Sequence, residues 1–563
     1  MKIHLHDEAW ETLKNQGFLN AWDELYSQCA WATPYQSQQF VITWFENYKN
    51  NYSPVIITLS NKSNKLLGLF LLATSKQNNQ IVSPGAHQAE YQCWLSAAEC
   101  PVDFITNALT AIYNKLDINS SIILKYIPPE LPIHDFFEST KFSGLAELKK
   151  HRRPLLHIDA ANIEKSFKKK SNKSRFNRLK KLGDLEFRKL TDDEDLTCVF
   201  DKIIDFYNFR QGAFNNSFPF QEDPQKRDFH LDLFKLHKDF FHFTITSLNG
   251  EPIAAHIGVT GENIIHLAIL AYSPLYAKSS PGKLHLMGLG KQLVNDDIQL
   301  LDLTPGGDAW KERFSDHSDE VHELIIYPSP RHKKIQSTKE ALLQTTKKFA
   351  QYVGITPKHA RTIVALLKRI TIKSVLNKIH SFIPKLSEMR IYYHTVASAQ
   401  KHSSPGRMKK NNITDLLKYT PIETWQNKQS FCYDALNRFE KNIHSYTLSS
   451  NNKLLHYGWL VEQQTEAFIS EVQHHYKWPE HSTILYDFYT DPDARGQGLY
   501  QENVRHMLSE ACASSETKNI CISALASNKP SCYVIEKLGF EYIESLFLFD
   551  FFGMKFKWKN KTP

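Results

Sequence analysis

The chain has 563 residues, too many for one ordinary hydrophobic core, and its 42% hydrophobic and 12% aromatic content excludes a disordered protein. The net charge of +8 is modest for that length, and eight cysteines without a Cys-x-x-Cys pair exclude a disulfide scaffold and favour a reducing cytoplasm. The N-terminal MKIHLHDEAW lacks the apolar run of a signal peptide, and Leu66 to Ala73, the longest strongly apolar run, is too short to span a bilayer.

Residues 1–50 place Trp22, Leu25, Tyr26, Tyr35, Phe40, Trp44 and Phe45 at helical spacing, which predicts two short helices around Thr33-Pro34. Strands are expected over Pro54–Leu59, Lys65–Thr74 and Ile81–Ser83, with polar turns between them. The same grammar returns at Phe241–Leu248, Ile253–Thr260 and Ile264–Tyr272. It returns again at His444–Leu448, Leu454–Val461, Ala467–Val472 and Thr483–Tyr489. Three separate meanders imply three similar domains.

Two stretches are basic. Lys165–Lys181 holds nine lysines and arginines and no acid. A solvated cationic helix face accounts for it, and nucleic acid, acidic glycan or a phosphate-bearing ligand is the alternative. Arg331–Lys378 has twelve lysines and arginines against Glu340 alone, with apolar residues from Ile363 to Ile383 near helical spacing. Packing on a neighbouring domain is the favoured reading, and peripheral contact with an anionic membrane is the alternative. Residues 396–411 read as a linker.

The most informative stretch is Thr483–Gln501, TILYDFYTDPDARGQGLYQ. A strand ends in a glycine-bearing loop, and Val504, Met507, Leu508 and Ala511 begin a helix beyond it. Strand, loop and helix N-terminus together make an anion site suited to a pyrophosphate. Asn519–Leu525 follows as a strand, then a short helix over Ser531–Leu538 stopped by Gly539, and the strand-like Phe540–Phe552. Histidines at 474, 475 and 481 near Glu471 lack metal-ligand spacing, so no metal is expected. No Gly-x-Ser-x-Gly or Gly-Lys-Ser/Thr loop is present, which counts against a serine hydrolase or P-loop NTPase.

The loop resembles the acetyl-CoA-binding signature of the GNAT acyltransferases, Arg/Gln-x-x-Gly-x-Gly/Ala, at Arg495, Gly498 and Tyr500, with Tyr500 in place of the family's small residue. Asn528, Ser531 and Glu536-Lys537-Leu538-Gly539-Phe540 resemble the second GNAT signature, with Ile535 in the slot of the family's acid tyrosine and Tyr533 nearby. Residues from about Trp22 to Tyr327 resemble the cellulose-biosynthesis-type (CelD-like) acetyltransferases, relatives of the FemAB-like transferases. That likeness rests on Ser280-Pro281-Gly282-x-Leu284 and Asp302-x-x-x-Gly306-x-Asp308-x-x-Lys311.

The resemblance implies an α/β (α+β) protein of three GNAT-like mixed sheets flanked by helices. The first two halves fall at 1–150 and 151–330, a basic helical linker at 331–411, and a C-terminal domain at 412–563. It also implies acetyl-CoA or another acyl-CoA as substrate, contacted by Phe488, Tyr489, Arg495, Gly496, Gln497, Gly498, Leu499, Tyr500, Asn528 and Ser531. The acceptor would be an amine on a sugar, an amino acid or an envelope precursor. Candidates for catalysis are Glu471 and Asp487 as bases, Tyr533 as acid, and Asp308 with Lys311 in the middle domain, His256 being a further base and Cys532 a packing residue. Two alternatives stand beside this: FemAB-like transfer from aminoacyl-tRNA, and degenerate domains serving as binding scaffolds.

Overall fold

The computed structural model describes residues 1–99, 101–116, 120–134, 136, 142–191, 196–352, 384–422, 426–551 and 554–561. The chain forms two units. One comprises Met1–Asn208, Phe218–Ser273 and Lys278–Thr345; the other comprises Thr346–Pro563 with the short pieces Phe209–Ser217 and Pro274–Ala277.

In the first unit a strand (Lys2–Leu5) and a helix (His6–Lys14) come before helices Gln16–Gln28 and Gln38–Tyr48, which are capped by the side chains of Asn15 and Ser37. Trp22 and Trp44, on the apolar faces expected from their spacing, are fully buried. Strands β1 (Lys2–Leu5), β2 (Tyr52–Ser60), β3 (Leu66–Ser75), β4 (Ile81–Val82) and β5 (Leu95–Ser96) form an antiparallel sheet. A second sheet follows, built from β6 (Ile122–Ile127), β7 (Ala146–His157), β8 (Leu185–Lys189), β9 (Phe241–Leu248), β10 (Glu251–Thr260), β11 (Ile264–Tyr272), β12 (Leu300–Asp302) and β13 (His317–Ile326). Its order is β8-β9-β10-β11-β12-β7-β13-β6. The sequence boundary at 150/151 falls inside β7, and the second sheet begins as early as Ile122.

The second unit repeats that order. Its strands are β14 (Lys385–Thr395), β15 (Lys409–Lys410), β16 (His444–Ser450), β17 (Lys453–Val461), β18 (Glu466–Ile469), β19 (His474–Lys477), β20 (Ser482–Thr490), β21 (Asn519–Leu525), β22 (Glu541–Phe551) and β23 (Met554–Lys561). The sheet runs β15-β16-β17-β20-β21-β14-β22-β23, with β18 and β19 as a separate two-stranded ribbon. In each unit a strand from ahead of the repeating meander, β7 or β14, inserts antiparallel between the fifth and sixth strands.

Both inserted strands lay in stretches that composition had disguised. β7 contains Lys149-Lys150-His151-Arg152-Arg153-Pro154, and β14 lies within the expected linker 331–411. Pro154 is tolerated in a central strand because its carbonyl takes the Leu303 amide at 3.1 Å, just past the end of β12, where no ladder donor is required of it. Residues 396–411 are not a free tether either: Val396–Ala399 is helical and Lys409–Lys410 pairs with β16. Helix Pro330–Tyr352 begins the second basic stretch, while the apolar positions Ile363 to Ile383 lie outside the described residues.

Candidate functional site

Among the described residues each large sheet has one parallel pair, and the sheet opens along it. In the second unit Ser482–Leu485 pair with Asn519–Ile522; beyond them β20 stays with β17 and β21 with β14. At the parting β20 carries a bulge, since Tyr457 faces Tyr489 and Trp459 faces Tyr486, leaving Asp487 and Phe488 opposite Gly458. Asp487 adopts φ 49° there. A Cβ on Gly458 would lie 2.5 Å from the Phe488 ring, so only glycine lets that ring cross the strand.

The chain leaves β20 through a turn in which Asp491 accepts the Asp493 amide (3.0 Å) and Lys453 lies 2.8 Å from both carboxylates. Gly496 and Gly498 follow at φ 79° and 76°. A Cβ on either would meet nothing within 4 Å, so glycine is required by backbone conformation and not by crowding. Gly498 caps helix Leu499–Ala513 without a side-chain bond. Among the described residues the amides of Gly496, Gln497, Gly498, Leu499 and Tyr500 find no acceptor in the chain. Five consecutive exposed or first-turn amides at a helix N-terminus form an anion cradle.

Tyr500 does not plug that cradle. Its ring packs edge-on against Phe488, 4.9 Å between centroids, and its phenol lies beside Ser531 and Cys532. Burial, reinforced by Cys532, pushes the phenol above its ordinary range. Asn528 caps the next helix through the Ser531 amide at 3.3 Å. On that helix Ile535 is fully buried while Tyr533 is 64% exposed, its ring toward Lys537 (6.0 Å). Tyr489 stacks on Tyr457 (5.4 Å) inside the sheet's core, so of the two strand-end aromatics only Phe488 borders the cradle's first turn.

The acid candidates separate. Asp487 pairs with Arg438 of helix Lys428–Glu440, whose guanidinium stacks over Trp459 (4.6 Å) and Tyr486 (5.3 Å). Its carboxylate is thereby committed to an ion pair. Glu471 is not on a strand: it lies in the turn joining β18 to β19, where among the described residues its carboxylate accepts only from the neighbouring Ser470 hydroxyl at 2.9 Å. The structure does not bring these two acids together with Tyr533.

In the first unit β11 and β12 pair over Ile264–His266 and Leu300–Asp302, then part. A bulge again follows, with Ile257 facing Ile269 and Gly258 facing Leu267. At the end of β12 stands Asp302, fully buried. It accepts from His266 Nδ1 (2.9 Å), the Thr304 amide (2.7 Å) and the Tyr91 phenol, with Arg153 Nη1 at 3.8 Å. Burial alone would raise this carboxyl, but His266, Arg153 and Tyr91 hold it below the usual carboxylate range.

Lys311 is also buried, donating to Thr304 O (3.1 Å), Thr304 Oγ1 (3.2 Å) and Pro305 O (3.3 Å). It clamps the loop after β12, while Asp308, 3.8 Å away, is 57% exposed. His256 is a core residue, both ring nitrogens lacking partners among the described residues, and burial pushes it well below its usual range. The sequence motif of this region contains Asp302, but only Asp308 and Lys311 were given a role from it, and His266, Tyr91 and Arg153 were not singled out. The available signal was an acid inside the apolar run Leu300-Leu301-Asp302-Leu303.

The basic stretch Lys165–Lys181 forms helices Ala160–Lys168 and Lys170–Lys180, and most of its cations are solvent-exposed. Among the described residues no helix is long and apolar enough to cross a membrane, and no three metal-ligating side chains converge.

Residues 166–312 match the family model of an acetyltransferase (GNAT) domain, and residues 414–541 match a second acetyltransferase (GNAT) domain model. Similar solved structures include a tandem GNAT protein from the clavulanic acid biosynthesis pathway, 8% identical, covering 58% of this chain and 99% of that one, TM-score 0.37. FemX is 10% identical over 60% of this chain and 100% of that one, TM-score 0.32. The C-terminal domain of a putative lysylphosphatidylglycerol synthetase from Agrobacterium fabrum is 10% identical over 58% and 95%, TM-score 0.36. No curated protein matches.

Proposed function

We propose, for a chain that belongs to the GNAT acyltransferases through both matched domains, that its second unit is an acyl-CoA-dependent N-acyltransferase. The observation that carries this reading is the run of five free amides from Gly496 to Tyr500, placed where β20 and β21 part. Those amides hold the diphosphate of the acyl-CoA, and the gap between the strands admits its acyl arm. The fit is supported by the open space at Gly496 and Gly498 and by the turned-away ring of Tyr500.

Transfer proceeds by direct attack of an acceptor amine on the thioester carbonyl. The C–N bond forms, the C–S bond breaks, the amine loses a proton and the departing thiolate gains one. With Ile535 buried in the family's acid slot, the Tyr500 phenol, beside Ser531 and Cys532, is our candidate for the group that protonates the thiolate. The acceptor is an amine of a sugar, an amino acid or a cell-envelope precursor, on the CelD-like motifs of the first unit.

The test is a melting experiment with acetyl-CoA. The wild-type protein gains thermal stability with ligand concentration, and Gly498→Trp, which fills the cradle, gains none. Equal responses from both would remove the reading.

A second reading, transfer from aminoacyl-tRNA, is favoured by one observation in the first unit. Lys283, on helix Pro281–Asn295, has its ammonium pushed below the usual range by burial and then by Arg175, Lys169 and Arg313. Such a cluster of cations suits a polyphosphate. RNA that co-purifies at low salt and leaves at high salt would favour it.

A further inference from the structure

The outer strands of the second sheet turn an exposed aromatic face to one side. Side chains alternate along β14, so Tyr392 packs with Val504 and Leu508 of helix Leu499–Ala513 and with Ile535 of helix Lys529–Lys537. Met389 and Ile391 point the other way, toward Tyr476 of β19 and Trp478 just beyond it. The register carries this alternation outward to β22 and β23. On the helix side Leu386 stands opposite Phe549 and Phe549 opposite Phe556, while Phe547 stands opposite Trp558 and stacks on it at 5.0 Å. Helix Lys529–Lys537 packs on β21, two strands inward from β22. Phe547 and Phe549 are half-buried, and Leu386, Met554, Phe556 and Trp558 are between 43% and 58% exposed. Contiguous apolar surface of this kind marks a place where something docks.

Charge selects the occupant. β23 is the last strand in the sheet order and reads MKFKWKNK, with four lysines and no acid. Lys555, Lys557 and Lys559 alternate with the exposed rings. Lys557 donates to the Gln473 carbonyl (2.7 Å) and Lys559 lies over the Tyr476 ring (5.1 Å). Among the described residues none of these three lysines has a carboxylate within ion-pair distance. Pairing of β23 with a second copy would bring four more lysines to the same ladder, and edge lysines of this kind oppose it. A surface that is apolar beneath and anionic on top matches both features at once. Trp and Phe rings seat at headgroup level, and the lysine charges, a strand's thickness away, stay within the roughly 10 Å over which anionic headgroups attract them.

We propose that this face docks the second unit on a membrane surface rich in anionic phospholipid. Phe556 and Trp558 seat among the headgroups, and the β23 lysines supply the preference for negative charge. β14 and β22 separate β23 from the parting of β20 and β21, so the docking residues are not those of the amide cradle.

Flotation of the full chain with phosphatidylcholine vesicles, with and without phosphatidylglycerol, tests this. The wild type should float with the vesicles that contain phosphatidylglycerol, less so at high salt, and not with phosphatidylcholine alone. The double variant Phe556→Ala/Trp558→Ala should partition at least about tenfold less, the change expected when roughly 60 Å² of apolar surface is no longer buried. Lys555→Gln, at a site with no ion pair to break, should partition about fivefold less. Unchanged melting temperatures in both variants separate lost docking from lost fold. A wild type that floats with neither vesicle, or equally with both, would overturn the proposal. So would a double variant that floats like the wild type, which would assign the docking to another part of the chain. A wild-type dimer in sedimentation that the double variant lacks, without flotation, would give the face to a second copy and overturn it as well.

Discussion

His266 Nδ1 lies 2.9 Å from the carboxylate of Asp302, at the point where β11 and β12 part. The same carboxylate takes the Tyr91 phenol from the segment before β5, so one buried acid ties the first sheet region to the second. Removing it leaves Arg153 and the Tyr91 hydroxyl facing a neutral or empty site in the interior. Asp302→Ala should therefore destabilise the first unit by about 3–5 kcal/mol, the usual cost of breaking a buried charged network. Urea unfolding followed by fluorescence measures it, and a cost below about 1 kcal/mol would show the network to be incidental.

Acid should weaken both units well before carboxylates titrate. Burial holds His230 and His285 in the first unit, and His456 in the second, down to about 3. Unfolded, each takes up a proton near pH 6.5. The unfolded chain then binds more protons than the folded one across the window from about 6.5 to 3, so stability is full above it and falls as pH drops. Each histidine contributes a slope approaching about 1.4 kcal/mol per pH unit within that window. Asp302, held low when folded, adds a loss of the same sign below about pH 3.9. Urea midpoints that do not change between pH 7.5 and 5 would contradict this.

Asp487 is expected to act through Arg438 and not on a proton of the substrate. Asp487→Asn should keep more than about a tenth of wild-type kcat, whereas loss of a general base typically costs 10²–10⁴-fold. Its stability should fall modestly, by about 1 kcal/mol, because the pair is only partly buried and solvent screens it. Steady-state kinetics with any accepted amine, alongside a melting curve, distinguishes the two roles.

Two tyrosines make opposite predictions. Tyr533→Phe, at an exposed position, should leave both kcat and stability unchanged. Tyr500→Phe keeps the ring against Phe488 and removes only the phenol beside Ser531, so kcat should fall about 10²-fold with KM for acyl-CoA nearly constant. A kcat equal to wild type in Tyr500→Phe would end its candidacy as the acid.

What could be read from the chain alone was local. The β20–loop–helix passage, the paired strands Phe241–Leu248 and Ile253–Thr260 and the short helix ahead of Gly539 are set by turn chemistry and by hydrophobic period within a dozen residues. Partners distant in sequence were decided only by the tertiary structure. β7 and β14 carry many charges, and they become central strands because β12–β13 and β21–β22 leave a gap that only another strand's backbone can satisfy. Asp302 and Asp487 look alike as acids in strands. One is desolvated and gathers His266, Tyr91 and Arg153, while the other sits on a bulge within reach of Arg438, and no local pattern records which cations and phenols the fold will carry to a carboxylate.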